Sequence, residues 1–129
     1  MFLFVLLEII SMVELKTELN PVRLVFGRDK SVELMVQVKN DSEKARMVSF
    51  DIVLSNHLSF EKNGMSNTRN ILLGEMKPDE KVIRYFSIYP KMSLQKSPQP
   101  IYISVMEHFE KKYDYILSKK SKELVLRIE

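Results

Sequence analysis

From Val13 onward, apolar and polar residues alternate with a period of two rather than 3.6. That is the pattern of strands with one face buried and one face wet. Val13, Leu15, Thr17 and Leu19 alternate with Glu14, Lys16 and Glu18. After Asn20-Pro21 the row continues through Val22, Leu24 and Phe26. The clearest strand follows, with Val32, Leu34, Val36 and Val38 set between Glu33, Met35, Gln37 and Lys39. Val48, Phe50, Ile52 and Leu54 form the next inward row. A short strand is expected over Ile71–Leu73, and one from Val82 to Tyr89 with apolar residues on both faces. Ile101, Ile103 and Val105 make another row, and Leu124, Leu126 and Ile128 the last. Phe109, Tyr113, Ile116 and Leu117 fall at helical spacing. Tyr and Ile favour strands, however, and a hairpin needs no crossover, so this stretch is read as a long hairpin.

Turn signals recur about every ten residues, the spacing of a sandwich or barrel. They include Gly27-Arg28-Asp29-Lys30, Asn40-Asp41-Ser42-Glu43, the polar stretch Glu61 to Thr68 with Asn63-Gly64, and Gly74 to Glu80. Three of the five prolines lie between Pro90 and Pro100, which reads as a loop because proline is poorly tolerated inside a sheet. No helix alternates with the strands to build a parallel sheet. The expected fold is therefore all-β: an immunoglobulin-like sandwich of two antiparallel sheets with seven to nine strands.

Composition narrows this reading. The 129 residues are one domain's worth of chain. Hydrophobic content of 45% and charged content of 29% argue for a packed core rather than a disordered chain. There is no cysteine, so disulfides, zinc ribbons, iron–sulfur clusters and thiol nucleophiles are excluded. The net charge of +3 is too slight to imply nucleic acid by itself.

Residues 1–11 form an apolar leader, interrupted only by Glu8 and Ser11, ahead of a domain over 12–129. The leader has no basic n-region before Lys16 and no small-residue cleavage site, and it falls well short of the ~20 residues that span a bilayer. It reads as an extra buried or intermolecular strand, or as sequence upstream of a true start at Met12. A cytoplasmic location fits this, with an exported cell-surface or carbohydrate-associated adhesion module as the alternative, and no membrane partner is expected.

One order of motifs stands out. It runs Asn20-Pro21, Gly27, Val32-x-Leu34-x-Val36-x-Val38-x-Asn40, Val48-x-Phe50-x-Ile52-x-Leu54 and Leu73-Gly74-x-Met76-x-Pro78-x-Glu80. This resembles prokaryotic immunoglobulin-like modules of the CARDB type, the cell-adhesion-related domain of bacteria and archaea. The resemblance covers about Val13 to Glu129. Asp79 stands where that family usually carries glycine. The resemblance implies a seven-stranded sandwich without a catalytic site, in a family whose members are usually extracellular, repeated or appended to enzymes. A weaker resemblance is to cytosolic immunoglobulin-like domains of the major sperm protein fold, also interaction modules.

Catalytic chemistry finds little support. The two histidines are His57 and His108. Glu107, His108, Glu110 and Asp114 could offer metal ligands, but neighbours on a strand point to opposite faces, so Glu107 and His108 should diverge. No H-E-x-x-H, G-x-S-x-G, Walker loop or G-x-G-x-x-G is present. No enzyme activity, cofactor, metal or small-molecule substrate is expected. Lys111, Lys112, Lys119, Lys120 and Lys122, with Tyr113 and Tyr115 between them, could meet single-stranded nucleic acid. Glu107, Glu110, Asp114 and Glu123 offset that charge, and lysines on an edge strand also serve to block aggregation.

The outward positions carry more. If Val32, Leu34, Val36 and Val38 face the core, then Met35 faces out. The same register on Val82 to Tyr89 turns Ile83, Tyr85 and Tyr89 outward. In an immunoglobulin-like topology these two strands pair, so the four side chains adjoin in one apolar patch. Met47, Val53, Tyr102 and Met106 make a second, weaker candidate. Arg84, on the inward row, either sits at a sheet rim or marks a bulge that shifts the register. The expected function is a non-catalytic protein–protein interaction or assembly module. It would work as a homo-oligomer or with a protein partner, through Met35, Ile83, Tyr85 and Tyr89 or through an exposed strand edge.

Overall fold

The computed structural model describes residues 13–25, 27–91, 97–109 and 112–129. The apolar leader, Phe26, Glu110 and Lys111 lie outside the described residues. Nine strands form within them: β1 (Val13–Asn20), β2 (Arg23–Leu24), β3 (Val32–Asn40), β4 (Arg46–Leu54) and β5 (Leu58–Ser59), then β6 (Thr68–Met76), β7 (Lys81–Pro90), β8 (Gln99–His108) and β9 (Ile116–Ile128). They build two sheets, one ordered β1-β3-β7-β5 and the other β2-β9-β8-β4-β6. The fold is the expected β-sandwich. All pairs are antiparallel except the two-residue β2, which runs parallel to β9. The chain leaves the first sheet at the cis Asn20–Pro21 peptide and enters the second at β2.

The alternation read in the sequence becomes the core. Val32, Leu34, Val36 and Val38 on β3 are fully buried, facing Val48, Phe50, Ile52 and Leu54 on β4 and Ile101, Ile103 and Val105 on β8. Stripping water from these rows is the main force holding the sheets together. Phe86 of β7 meets Phe50 edge-on, with centroids 6.1 Å apart, and Phe60 at 6.0 Å. Arg69 lies over the Phe60 ring at 4.6 Å and closes that flank, where β6 and the short β5 are the edge strands of the two sheets.

Local details depart from the sequence expectation. β6 is nine residues long rather than a short Ile71–Leu73 segment. It continues through Gly74 because a register shift against β4 falls there, and Gly74 takes φ +78°, a left-handed value that glycine reaches without strain. Pro90 ends β7 and Pro100 is the second residue of β8, so both prolines sit at strand ends. The segment after β8 contains no α-helix among its described residues. β8 and β9 pair from Gln99↔Leu126 to His108↔Ile116 as the expected long hairpin.

Asn40, the last residue of β3, ties one end of the sandwich together. It is fully buried. Its Nδ2 donates to the carbonyls of Lys44 and Met76, each at 2.9 Å. Its Oδ1 accepts from the Ser42 amide at 3.0 Å and the Ser42 hydroxyl at 2.7 Å. Its backbone N–H donates to the Glu80 carbonyl, and its carbonyl accepts from the Asp79 amide. Asp79 takes φ +64°, a left-handed value that glycine would reach without cost.

Candidate functional site

The β3–β7 ladder runs without a register shift from Val32↔Ile88 to Lys39↔Lys81. Met35 lies opposite Tyr85 and Gln37 opposite Ile83. On the other side of β3, Glu18 lies opposite Met35 and Lys16 opposite Gln37. The outer face of this sheet thus carries a short apolar strip of Met35, Ile83 and Tyr85, flanked on β1 by one base and one acid. Tyr85 is 62% exposed and Ile83 39%, with Met35 half-buried between them. Tyr89 does not join the strip. It lies four residues beyond Tyr85, roughly 13 Å along the strand, past Ser87 and opposite Ser59.

Arg84 is inward by register, opposite the buried Val36, yet it is exposed. It occupies a sheet rim, and no bulge displaces it. β5 pairs β7 only at Tyr89 and Pro90, so from Lys81 to Ile88 the other edge of β7 has no strand partner among the described residues.

The outer face of the five-stranded sheet behaves differently from its sequence expectation. Val53 and Tyr102 are direct neighbours and both exposed. Met106 is only 6% exposed, and Asp51 paired with Ser104 separates it from Val53 and Tyr102. Val125 of β9, opposite Pro100, and Val22 just before β2 extend the apolar character toward the other edge instead.

The late lysines do not form one stripe. Lys119 pairs with Met106 on the outer face, whereas Lys120 and Lys122 pair with Val105 and Ile103 on the inner face. A phosphate backbone meeting one side of β9 would engage only part of this charge.

Glu107 and His108 diverge as the strand period requires. Glu107 lies opposite Val48 on the inner row and His108 opposite Met47 on the outer row. No group of three or more metal-ligating side chains is found among the described residues. His108 instead makes a buried bond, its Nε2 lying 2.7 Å from the Ser49 hydroxyl. The Tyr113 ring stands edge-on to it at 5.0 Å. Sequence reasoning missed this contact, because Ser49 and His108 meet only through the β4–β8 register. A cleft of about 230 Å³ adjoins His108 and includes Arg46 and Glu75 in its walls. Ser49 is 2% exposed, and its hydroxyl holds the imidazole.

The best-defined ionic group is at the β2–β3 turn. The Asp29 carboxylate bonds the Arg28 guanidinium at 3.1 Å and accepts the Val25 amide at 2.8 Å. The Arg28 bond, then the Val25 amide, hold its pKa below the ordinary carboxylate value.

No protein-family model and no curated protein matches this chain. Solved structures share its fold. AvmM, described as catalysing macrocyclization in alchivemycin A biosynthesis, matches with a TM-score of 0.56 at 9% identity, over 88% of each chain. Spo0M, a sporulation control protein from Bacillus subtilis, matches with a TM-score of 0.50 at 11% identity. That match covers 93% of this chain and 50% of Spo0M. At these identities the likeness extends to the fold alone. No helix among the described residues is long and apolar enough to cross a membrane.

Proposed function

We propose that this protein is a non-catalytic assembly module that pairs with a second copy of itself through the outer face of the four-stranded sheet. The observation that carries the reading is the half-buried Met35 of β3 beside the exposed Tyr85 and Ile83 of β7, a strand whose other edge has no partner from Lys81 to Ile88 among the described residues. Tyrosine and methionine are enriched at protein interfaces, and tyrosine contributes large contact area at small entropic cost. Lys16 and Glu18 flank the strip with opposite charges. A two-fold related copy can therefore set base against acid across the contact. The CARDB-like order of motifs supports the same class of role, since that family's modules are non-catalytic. The division of Lys119, Lys120 and Lys122 between two faces of β9 favours this reading over a nucleic-acid accessory.

Light scattering on the native chain tests it. A discrete dimer is expected. Tyr85→Lys should weaken association about 30-fold, or roughly 2 kcal/mol, by placing ammonium groups at the centre of the contact. Because Tyr85 is exposed, the variant should fold normally. A chain that stays monomeric at millimolar concentration refutes the proposal, as does a Tyr85→Lys variant that dimerises as tightly as the parent.

A further inference from the structure

A second feature lies at the opposite end of the sandwich from Asn40. The β2–β3 turn, the loop after β5 and the end of β7 border an open hollow of about 300 Å³. Lys30, Lys62 and Lys91 line it, each from a different one of these segments. Tyr89, Pro90 and Asn63 complete most of the wall. We propose that this hollow binds a small anionic ligand with a flat apolar body, the chemistry of a nucleoside phosphate.

Charge supports the anion. Among the described residues the one acid in the wall is Asp29, and its carboxylate is already engaged by Arg28 and the Val25 amide. None of Lys30, Lys62 and Lys91 forms an ion pair among the described residues. Three lysines lining one hollow favour a multiply charged anion there over a neutral ligand.

Geometry supports a preformed site. The amides of Arg28 and Asp29 both donate to the Val25 carbonyl, at 3.1 and 2.9 Å. The Gly64 amide donates to Glu61 at 3.0 Å, closing a turn in which Asn63 takes φ +58°. The Lys91 amide donates to His57 at 2.9 Å. These bonds fix the backbone of the three segments from which the lysines extend, while ordering the lysine side chains still opposes binding.

The apolar body follows from the rest of the wall. Tyr89, Pro90 and the three lysines are wall residues whose side chains carry flat or aliphatic surface as well as charge. The volume is at the small end of the range for ligand pockets, about 300 Å³ and upward. This accounts for Tyr89, which stands apart from the Met35–Ile83–Tyr85 strip. It also goes beyond the sequence expectation, because residues 30, 62 and 91 are distant in the chain and meet only in the fold.

The test is amide chemical-shift titration of the full chain at low salt with adenosine 5′-diphosphate, inorganic pyrophosphate and adenosine. The diphosphate should shift the amides of Gly27, Asn63 and Lys91. Pyrophosphate should shift the same amides at higher concentration, and adenosine should shift none at matched concentration. Each of Lys30→Met, Lys62→Met and Lys91→Met should weaken the diphosphate by roughly three- to fivefold, and the triple variant by about 30- to 100-fold. Unchanged amide shifts elsewhere show that the variants fold. No shift at these amides with either anion overturns the site, as does a triple variant that binds like the parent. Equal affinity for pyrophosphate and the diphosphate overturns the apolar half of the proposal.

Discussion

Replacing Asn40 with alanine should be among the most destabilising single changes in this protein. The side chain makes four bonds inside a fully buried corner. In Asn40→Ala the Lys44 carbonyl keeps a donor, because the Ser42 hydroxyl already reaches it at 2.7 Å. The Met76 carbonyl and the Ser42 amide lose the Asn40 side chain. Each buried group left unsatisfied costs about 1–3 kcal/mol, so the pair should cost roughly 3 kcal/mol. The backbone bonds to Glu80 and Asp79 survive the change and limit the loss. For a domain of this size that is a fall of roughly 10–15 °C in Tm. Urea denaturation followed by far-UV circular dichroism reads it, since the chain has no tryptophan. The midpoint should move with the slope unchanged. Ser42→Ala, which removes only the hydroxyl, should cost about 1 kcal/mol. If Asn40→Ala lies within about 1 kcal/mol of the parent, the corner is satisfied by water and the accounting is wrong.

Two further predictions concern backbone and charge. Asp79→Gly should leave stability unchanged or raise it by up to about 1 kcal/mol, whereas Asp79→Val should lower it by roughly 1–2 kcal/mol, because only the former fits φ +64° without strain. Thermal melts of the two variants side by side decide the point. Asp29 has a lowered pKa in the folded state, so it adds stability above the ordinary value of 3.8 and loses it as pH falls through the lowered one. Denaturation of wild type and Asp29→Asn between pH 7 and pH 2 should therefore show a gap at neutral pH that closes in acid. A gap constant with pH would mean that the Asp29 charge contributes nothing.

The sandwich was legible because its strongest signal is local. Period-two alternation on β3, β4 and β8 fixes which face of each strand is dry, and burying those faces requires a second sheet. The outer strip was legible one step further. Met35 and Tyr85 are polar-face positions on two strands, and any antiparallel pairing that buries both inner rows brings the outer residues together. Arg84 marked where that logic needed the tertiary structure. An inward residue can carry a solvent-exposed charge only if the opposing sheet stops short, and the sequence holds no record of where the sheet ends. β2 and β5, at two residues each, have no period to read. β6 was hidden because Gly74, a turn signal in one dimension, serves inside a strand as the residue that tolerates a bulge.

The contacts made by polar side chains belong almost wholly to the fold. Asn40 reaches Met76 across 36 positions, and Ser49 meets His108 across 59. Lys30, Lys62 and Lys91 converge only because three separate turns share one end of the sandwich. The sequence by itself determined the class of fold, the inner rows and the outward set Met35, Ile83 and Tyr85, because burial acts on each strand through its immediate neighbours. The tertiary structure alone decided which edges stay open, where Tyr89 goes and which charges gather. Those depend on strand order and on where each sheet ends, and both are set by the sum of all long-range packing rather than by any one segment.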